Sequence, residues 1–105
     1  MNNTVQITAQ NFEEEVLKHN GKVLLDFYAD WCGACKMLRP TLNNLSQELE
    51  HVKFAYVNVE QNPELSNAFM VMSIPALYYV ENGKIVGRQV GALSKPQLKQ
   101  FLKEI

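Results

Sequence analysis

Only two of the 105 residues are cysteine, so a multi-disulfide scaffold is excluded and any sulfur chemistry has to come from a single pair. Charge nearly cancels, 10 Lys and Arg against 11 Asp and Glu for a net of −1, and no basic cluster exceeds a residue or two. That balance argues against electrostatic binding of nucleic acid or of an anionic membrane surface. The longest largely apolar runs, Val23 to Ala29 and Ile74 to Val80, fall well short of the roughly 20 residues that span a bilayer. Met1-Asn2-Asn3-Thr4 has neither a cationic leader nor an apolar signal segment, which makes the cytoplasm the expected location. Repeats, low-complexity tracts and linker-like stretches are also missing. With 47% hydrophobic residues the chain can build a core without staples, and residues 1–105 are expected to form one domain that works as a monomer.

What is present is concentrated in Trp31-Cys32-Gly33-Ala34-Cys35-Lys36, directly after a strand-like apolar run and before a stretch with helical periodicity. A dithiol there sits at a helix N-terminus, where unpaired N–H groups and the positive end of the helix dipole stabilise an anion. Cys32 is therefore expected to ionise more readily than a free thiol and to attack disulfides. Cys35, one helical turn on, can resolve the mixed disulfide and leave the two cysteines bonded to each other. In a reducing compartment a stabilising disulfide is not expected, so the pair reads as redox-active or metal-binding. Zinc is the weaker reading: a structural site wants four ligands, and only His19 and His51 remain, far from the pair in sequence.

Periodicity along the chain alternates between two and three to four. Val5 and Ile7 suggest a short strand; a helix is expected over Phe12 to His19, with Asn11 and Glu14 spaced as a capping box and Gly21 as the stop. Val23 to Ala29 reads as a central strand covered on both faces. A long helix from the dithiol to about Glu50 carries Leu38, Leu42, Leu45 and Leu49 on one side and should kink at Pro40. Phe54 to Val59 reads as a strand, and Asn62-Pro63-Glu64 as a cap plus first-turn proline opening a helix through Phe69. Ala76 to Val80 and Lys84 to Val90 are strands joined by an Asn82-Gly83 type I′ turn. A last helix starts at Ser94-Lys95-Pro96-Gln97 and buries Leu98, Phe101, Leu102 and Ile105. Phe12, Phe27 and Phe69 are assigned to the core, Glu13 to Glu15 to a solvated first turn, and His19 to a helix-end cation. The order βαβαβαββα implies an α/β fold: a mixed five-stranded sheet flanked by four helices on both faces, with an antiparallel hairpin at one edge. In such sheets functional residues gather beyond the carboxyl ends of central strands, which is where the second strand delivers Cys32.

Over essentially its whole length the chain resembles the thioredoxin family. The resemblance rests on Trp31-Cys32-Gly33 with Cys35-Lys36, on Asp26-Phe27-Tyr28-Ala29 ahead of them, and on Pro40, Gln61-Asn62-Pro63, Ile74-Pro75, Asn82-Gly83 and Val90-Gly91. It implies the thioredoxin fold and a protein-disulfide reductase with no bound cofactor beyond the redox-active Cys32-Cys35 disulfide. A flavin-containing, NADPH-dependent thioredoxin reductase would recycle it. Ribonucleotide reductase, thiol peroxidases and methionine sulfoxide reductases would be its targets. The resemblance also brings the family's nucleophile pKa of about 7 and potential of about −270 mV as expectations. Asp26, the lone carboxyl in an apolar strand, should have its pKa raised by burial, and by resemblance it is the acid/base that helps Cys35 deprotonate; a structural, hydrogen-bonded aspartate is the alternative. Trp31 reads as a cover over the site and a substrate contact, or else as core. Carried over from the family, a cis peptide precedes Pro75, and Ile74 and Pro75 with Gly33 and Gly91 frame a groove for a target's extended backbone; a simple turn proline is the alternative. Lys36 either favours the thiolate or is a solvated first-turn side chain. Two other classes stay open on the same fold: a thiol oxidant or isomerase, and a binding subunit using the Trp31, Pro75 and Gly91 surface without turnover.

Two departures from the family pattern modulate this reading. Tyr56 stands where bacterial members commonly carry a lysine near the buried aspartate, so Asp26 is expected to be harder to ionise unless the phenol hydrogen-bonds it. Ala34 stands where proline is usual. Alanine loosens the loop and adds an N–H near the sulfur, both of which favour dithiol over disulfide. The protein is expected to be less reducing than its Ala34→Pro variant by on the order of 30 mV, about 1.4 kcal/mol. Equilibration of both proteins with glutathione buffers checks this; a parent potential equal to or below that of the variant would refute it.

Overall fold

The computed structural model describes residues 3–105. Five strands, β1 (Thr4–Gln6), β2 (Lys22–Tyr28), β3 (Val52–Asn58), β4 (Ala76–Glu81) and β5 (Lys84–Val90), form one sheet in the order β1-β3-β2-β4-β5. β1, β3 and β2 run parallel, and β4 and β5 are antiparallel to their neighbours, as the element order implies. A π-helical segment Glu13–Leu17 and helices α1 (Gly33–Glu48), α2 (Pro63–Ala68) and α3 (Lys95–Phe101) complete the fold.

Because strand side chains alternate between faces, β2 divides the core in two. Leu24 points with Tyr56, Leu77 and Tyr79 toward Leu38, Leu42 and Leu45 of α1 and Leu98 and Leu102 of α3. Val23, Leu25 and Phe27 pack on the other face with Val16 of the π-helical segment and with Leu65 and Phe69 around α2. On that side Phe69 contacts Phe12, Phe27 and Tyr78 with ring centroids 4.9–5.7 Å apart. Asp26 lies on the α1 side of β2, two residues from Leu24 and from Tyr28.

Two local signals match the structure directly. Ser94 and Gln97 form the full capping box of α3. Asn82 and Gly83 both have positive φ, 52° and 80°, as a type I′ turn requires, and a Cβ on Gly83 would collide with the Leu17 carbonyl. Elsewhere other nearby backbone groups take the side chain instead. Asn11 accepts from Thr8 N–H (2.7 Å) and donates to the Gln6 carbonyl (2.9 Å), so the expected capping box is not formed and the first helix is a π-helical turn closed by Lys18 N–H to the Glu13 carbonyl. Asn62 makes no side-chain cap on α2, since its amide donates to the Asn58 carbonyl (3.1 Å). His19, expected as a helix-end cation, has its pKa lowered by burial and by Lys53, with Glu15 opposing. Ile105 is 83% exposed rather than buried, because α3 ends at Phe101 and the chain beyond Leu102 leaves the core. β3 begins two residues earlier than its apolar run suggests, at Val52.

Helix α1 ends at Glu48, two residues short of the expected stop, and runs through Pro40, whose missing N–H removes the usual donor for the Lys36 carbonyl. Its C-terminal end is tied by Asn3, whose amide donates to the carbonyls of Ser46, Leu49 and Val52 at 2.8–3.0 Å. These bonds join the end of α1 to the start of β3. The N-terminus of α1, at the other end, is left to serve the site.

Candidate active site

Leaving β2, the chain turns through Ala29, Asp30 and Trp31, with Cys32 N–H donating to the Ala29 carbonyl (3.2 Å). Cys32 is the N-cap of α1, in extended conformation (φ −86°, ψ 109°), and its sulfur takes the place of the oxygen that Ser, Thr, Asp or Asn offers at such a position. Cys35 N–H donates to Cys32 Sγ at 3.1 Å. The two cysteines form a disulfide across a Cα–Cα separation of 5.2 Å, well within bridging range. Both are nearly buried, and with Ala29 they form a small apolar cluster against which Tyr28, Val59 and Ile74 pack.

The Ile74–Pro75 peptide is cis, and the Pro75 carbonyl accepts from Gly91 N–H (2.8 Å), which joins the loop before β4 to the end of β5. Gly91 has φ +105°, a conformation that side chains with a Cβ rarely adopt. Ile74, Pro75 and Gly91 are thus brought together, with Ile74 against the dithiol. Gly33 and Ala34 are exposed in the first turn of α1, as is Lys36, which makes no ion pair among the described residues. Trp31 is 67% exposed and not core; its Nε1–H donates to Glu60 Oε2 at 3.0 Å, which holds the indole beside the dithiol's turn.

Asp26 is 2% exposed and its Oδ1 has no hydrogen-bond partner. Burial raises its pKa to about 7, and the Arg39 guanidinium opposes that rise. Tyr56 lies directly across from Asp26 in the β2–β3 register, so the two residues expected to be near each other are. The phenol does not hydrogen-bond the carboxyl, however, and Tyr56 OH is itself without a partner. Tyr56 is pushed up to about 12, first by burial, with Arg39 pulling down and Asp26 pushing up. Arg39 supplies a cation that the sequence reading did not identify, yet burial outweighs it and the carboxyl is raised as expected. A cavity of about 430 Å³ opens beside Cys35, lined by Tyr28, Ala29, Asp30, Cys35, Lys36 and Arg39.

Glu60 and Arg39 escaped the sequence reading. Nothing local marks Glu60. Arg39, four residues after Cys35 and so one turn along the same helix face, carried a faint signal in that spacing. Among the described residues no group of three or more His, Cys, Asp or Glu is placed to hold a metal ion, and His19 and His51 do not join the cysteines.

The raised pKa of Asp26 has a measurable consequence. Between about pH 4 and pH 7 the folded chain holds a proton that the unfolded chain has released, so stability falls as pH rises through that window and levels off above it. At about 1.4 kcal/mol per pH unit, the rise from 3.8 to about 7 sets an upper limit of roughly 4 kcal/mol. Asp26→Asn is expected to remove this slope and to exceed the parent in stability above pH 7, by up to about that amount. Urea unfolding of both proteins across the window checks it; a parallel pH dependence in the two would refute it.

A family model described as Thioredoxin matches residues 3–104. A thioredoxin of Buchnera aphidicola from Schizaphis graminum is 43% identical over 105 residues, covering 99% of this chain and 97% of its own. The Haemophilus influenzae thioredoxin is 41% identical, at 99% and 98% coverage. Among solved structures, a chain from a study of the thiol resolving mechanism in yeast mitochondrial 1-Cys peroxiredoxin via glutathione/thioredoxin systems superposes with a TM-score of 0.87 at 29% identity, covering 97% of this chain and 95% of that one. With a helix-capping disulfide at the end of the central strand and this agreement along nearly its full length, the chain belongs to the thioredoxin family of thiol-disulfide oxidoreductases and is a protein-disulfide reductase.

Proposed function

We propose that the chain, acting as one monomeric domain in the cytoplasm, carries electron pairs from a thioredoxin reductase to disulfides of target proteins, with Cys32 as attacking thiolate and Cys35 as resolving thiol. The observation that carries this reading is the Cys35 N–H···Sγ hydrogen bond at the N-terminus of α1. The same N–H and the helix dipole favour a thiolate at Cys32 once the disulfide is reduced. That thiolate attacks one sulfur of a target disulfide and expels the other as a thiolate, forming an intermolecular disulfide. Cys35 then loses its proton to the Asp26 carboxylate and attacks Cys32 Sγ. The second target sulfur leaves, the target has gained two electrons, and the Cys32–Cys35 disulfide has re-formed.

A carboxyl with a pKa of about 7 suits this role, because at neutral pH it is divided between the form that accepts a proton and the form that returns one. Two electrons from NADPH, passed through the reductase's flavin, would regenerate the dithiol. Ile74, Pro75, Gly33 and Gly91 would receive the target's extended backbone beside Cys32, and Trp31, steadied by Glu60, would cover its flank. Ala34, Lys36 and Tyr56 would tune the potential and the proton balance rather than touch the reacting sulfurs. Ribonucleotide reductase, thiol peroxidases and methionine sulfoxide reductases are proposed as targets on the family resemblance.

Reduction of insulin by the purified chain, NADPH and a thioredoxin reductase tests the reading. Turnover is expected for the parent, none for Cys32→Ser, and for Cys35→Ser a stable mixed disulfide through Cys32. Retained turnover in Cys32→Ser, or trapping through Cys35 in its place, would overturn the assignment of roles.

A further inference from the structure

Arg39 is held in a position that neither its own helix nor any ion pair accounts for. It is half-buried on α1, one turn past Cys35, and its guanidinium carbon lies 3.9 Å from the centroid of the Tyr56 ring and 4.8 Å from that of Tyr28. Those two rings come from adjacent strands, β3 and β2. A guanidinium between aromatic faces is held by cation–π attraction and stacking, which fix it in place without neutralising its charge. Tyr56 is also the cross-strand neighbour of Asp26. Among the described residues Arg39 has no carboxylate salt-bridge partner, and both Asp26 Oδ1 and Tyr56 OH lack hydrogen bonds. Arg39 therefore acts on Asp26 through space, and on the neutral Tyr56 ring by stacking.

We propose that Arg39 is a positioning residue for the thiol chemistry: clamped on Tyr56 and Tyr28 over the cavity beside Cys35, its fixed positive charge sets the fraction of Asp26 that is ionised and so available to take the Cys35 proton. Tyr56 is the platform of this arrangement. The electrostatics agree in sign, since the guanidinium lowers the pKa of both the carboxyl and the phenol against the larger effect of burial. Other groups facing Asp26 do not supply the charge. Among the described residues Arg39 is the one charged group whose field registers on Asp26; Lys36 and Asp30, of opposite signs, line the cavity with Cys35 and Arg39. On its β4 edge Asp26 pairs with the uncharged Leu77, and α3 packs on the same face of the sheet through the uncharged Leu98 and Leu102.

The proposal rests on the reading of Asp26 as the proton acceptor for Cys35, and the test separates the two. Asp26 is titrated by carboxyl-carbon NMR in the parent, in Arg39→Gln, which keeps much of the stem without the charge, and in Arg39→Lys. Insulin reduction is followed across pH in the same proteins and in Asp26→Asn with and without Arg39→Gln. The Asp26 midpoint is expected to move up by roughly one pH unit in Arg39→Gln, with Arg39→Lys returning at least half of that. The acid limb of the activity profile is expected to follow the carboxyl, and Arg39→Gln to leave the profile of Asp26→Asn where it was. An unmoved carboxyl in Arg39→Gln overturns the proposal, as does an equal displacement in Arg39→Gln and Arg39→Lys. A carboxyl that moves as expected while Asp26→Asn keeps the parent's pH profile supports the Arg39 coupling and overturns the acid–base role of Asp26.

Discussion

The site depends on one contact, the hydrogen bond by which Cys35 N–H is given to the sulfur of Cys32 at the first turn of α1. A helix leaves its first N–H groups unpaired, and most helices satisfy them with an oxygen or with water. Here a sulfur takes that place. The bond serves the oxidised form by orienting the disulfide, and the reduced form by stabilising an anion at the atom that reacts. Moving the dithiol even one turn into the helix would lose both effects, because interior N–H groups are already committed to carbonyls.

The rest of the fold supplies the surroundings of that helix end. β2, paired on both edges, places the turn at its carboxyl end, and the Asn3 amide anchors the far end of α1 against β3. The alternation of β2 sends Asp26 beneath the first turns of the helix, where burial keeps much of it protonated at neutral pH. The cis Ile74–Pro75 loop, tied to Gly91, closes the other side of the dithiol. Apolar packing thus does two jobs here: it holds the elements together, and it keeps water from the Asp26 carboxyl and the two sulfurs.

Much of this was legible in the residues. The two-faced burial of Val23 to Ala29, the Asn82-Gly83 hairpin and the Ser94–Gln97 capping box are each signalled by residue types within a few positions, so local pattern suffices to find them. The dithiol's place at a strand-to-helix junction was readable for the same reason. Asn11 and Asn62 misled because their amides had better-placed backbone partners outside the expected caps, and spacing alone does not reveal that competition. Arg39 was hidden for a deeper reason. On a helix it looks like a solvated cation, and its role emerges only when β2 and β3 bring Tyr28 and Tyr56 under it. Tyr56 itself brings no cation to Asp26; in the fold the cation is Arg39 on the helix, stacked on the Tyr56 ring.

The central claim is that the helix end makes one sulfur an anion at neutral pH. The direct measurement is the pH dependence of iodoacetamide alkylation of the fully reduced chain, with the modified cysteine identified by peptide mass. The account predicts that Cys32 reacts first, with a midpoint at least one unit below the roughly 8.5 of a free thiol. Equal reaction of Cys32 and Cys35 with a midpoint near 8.5 would contradict it.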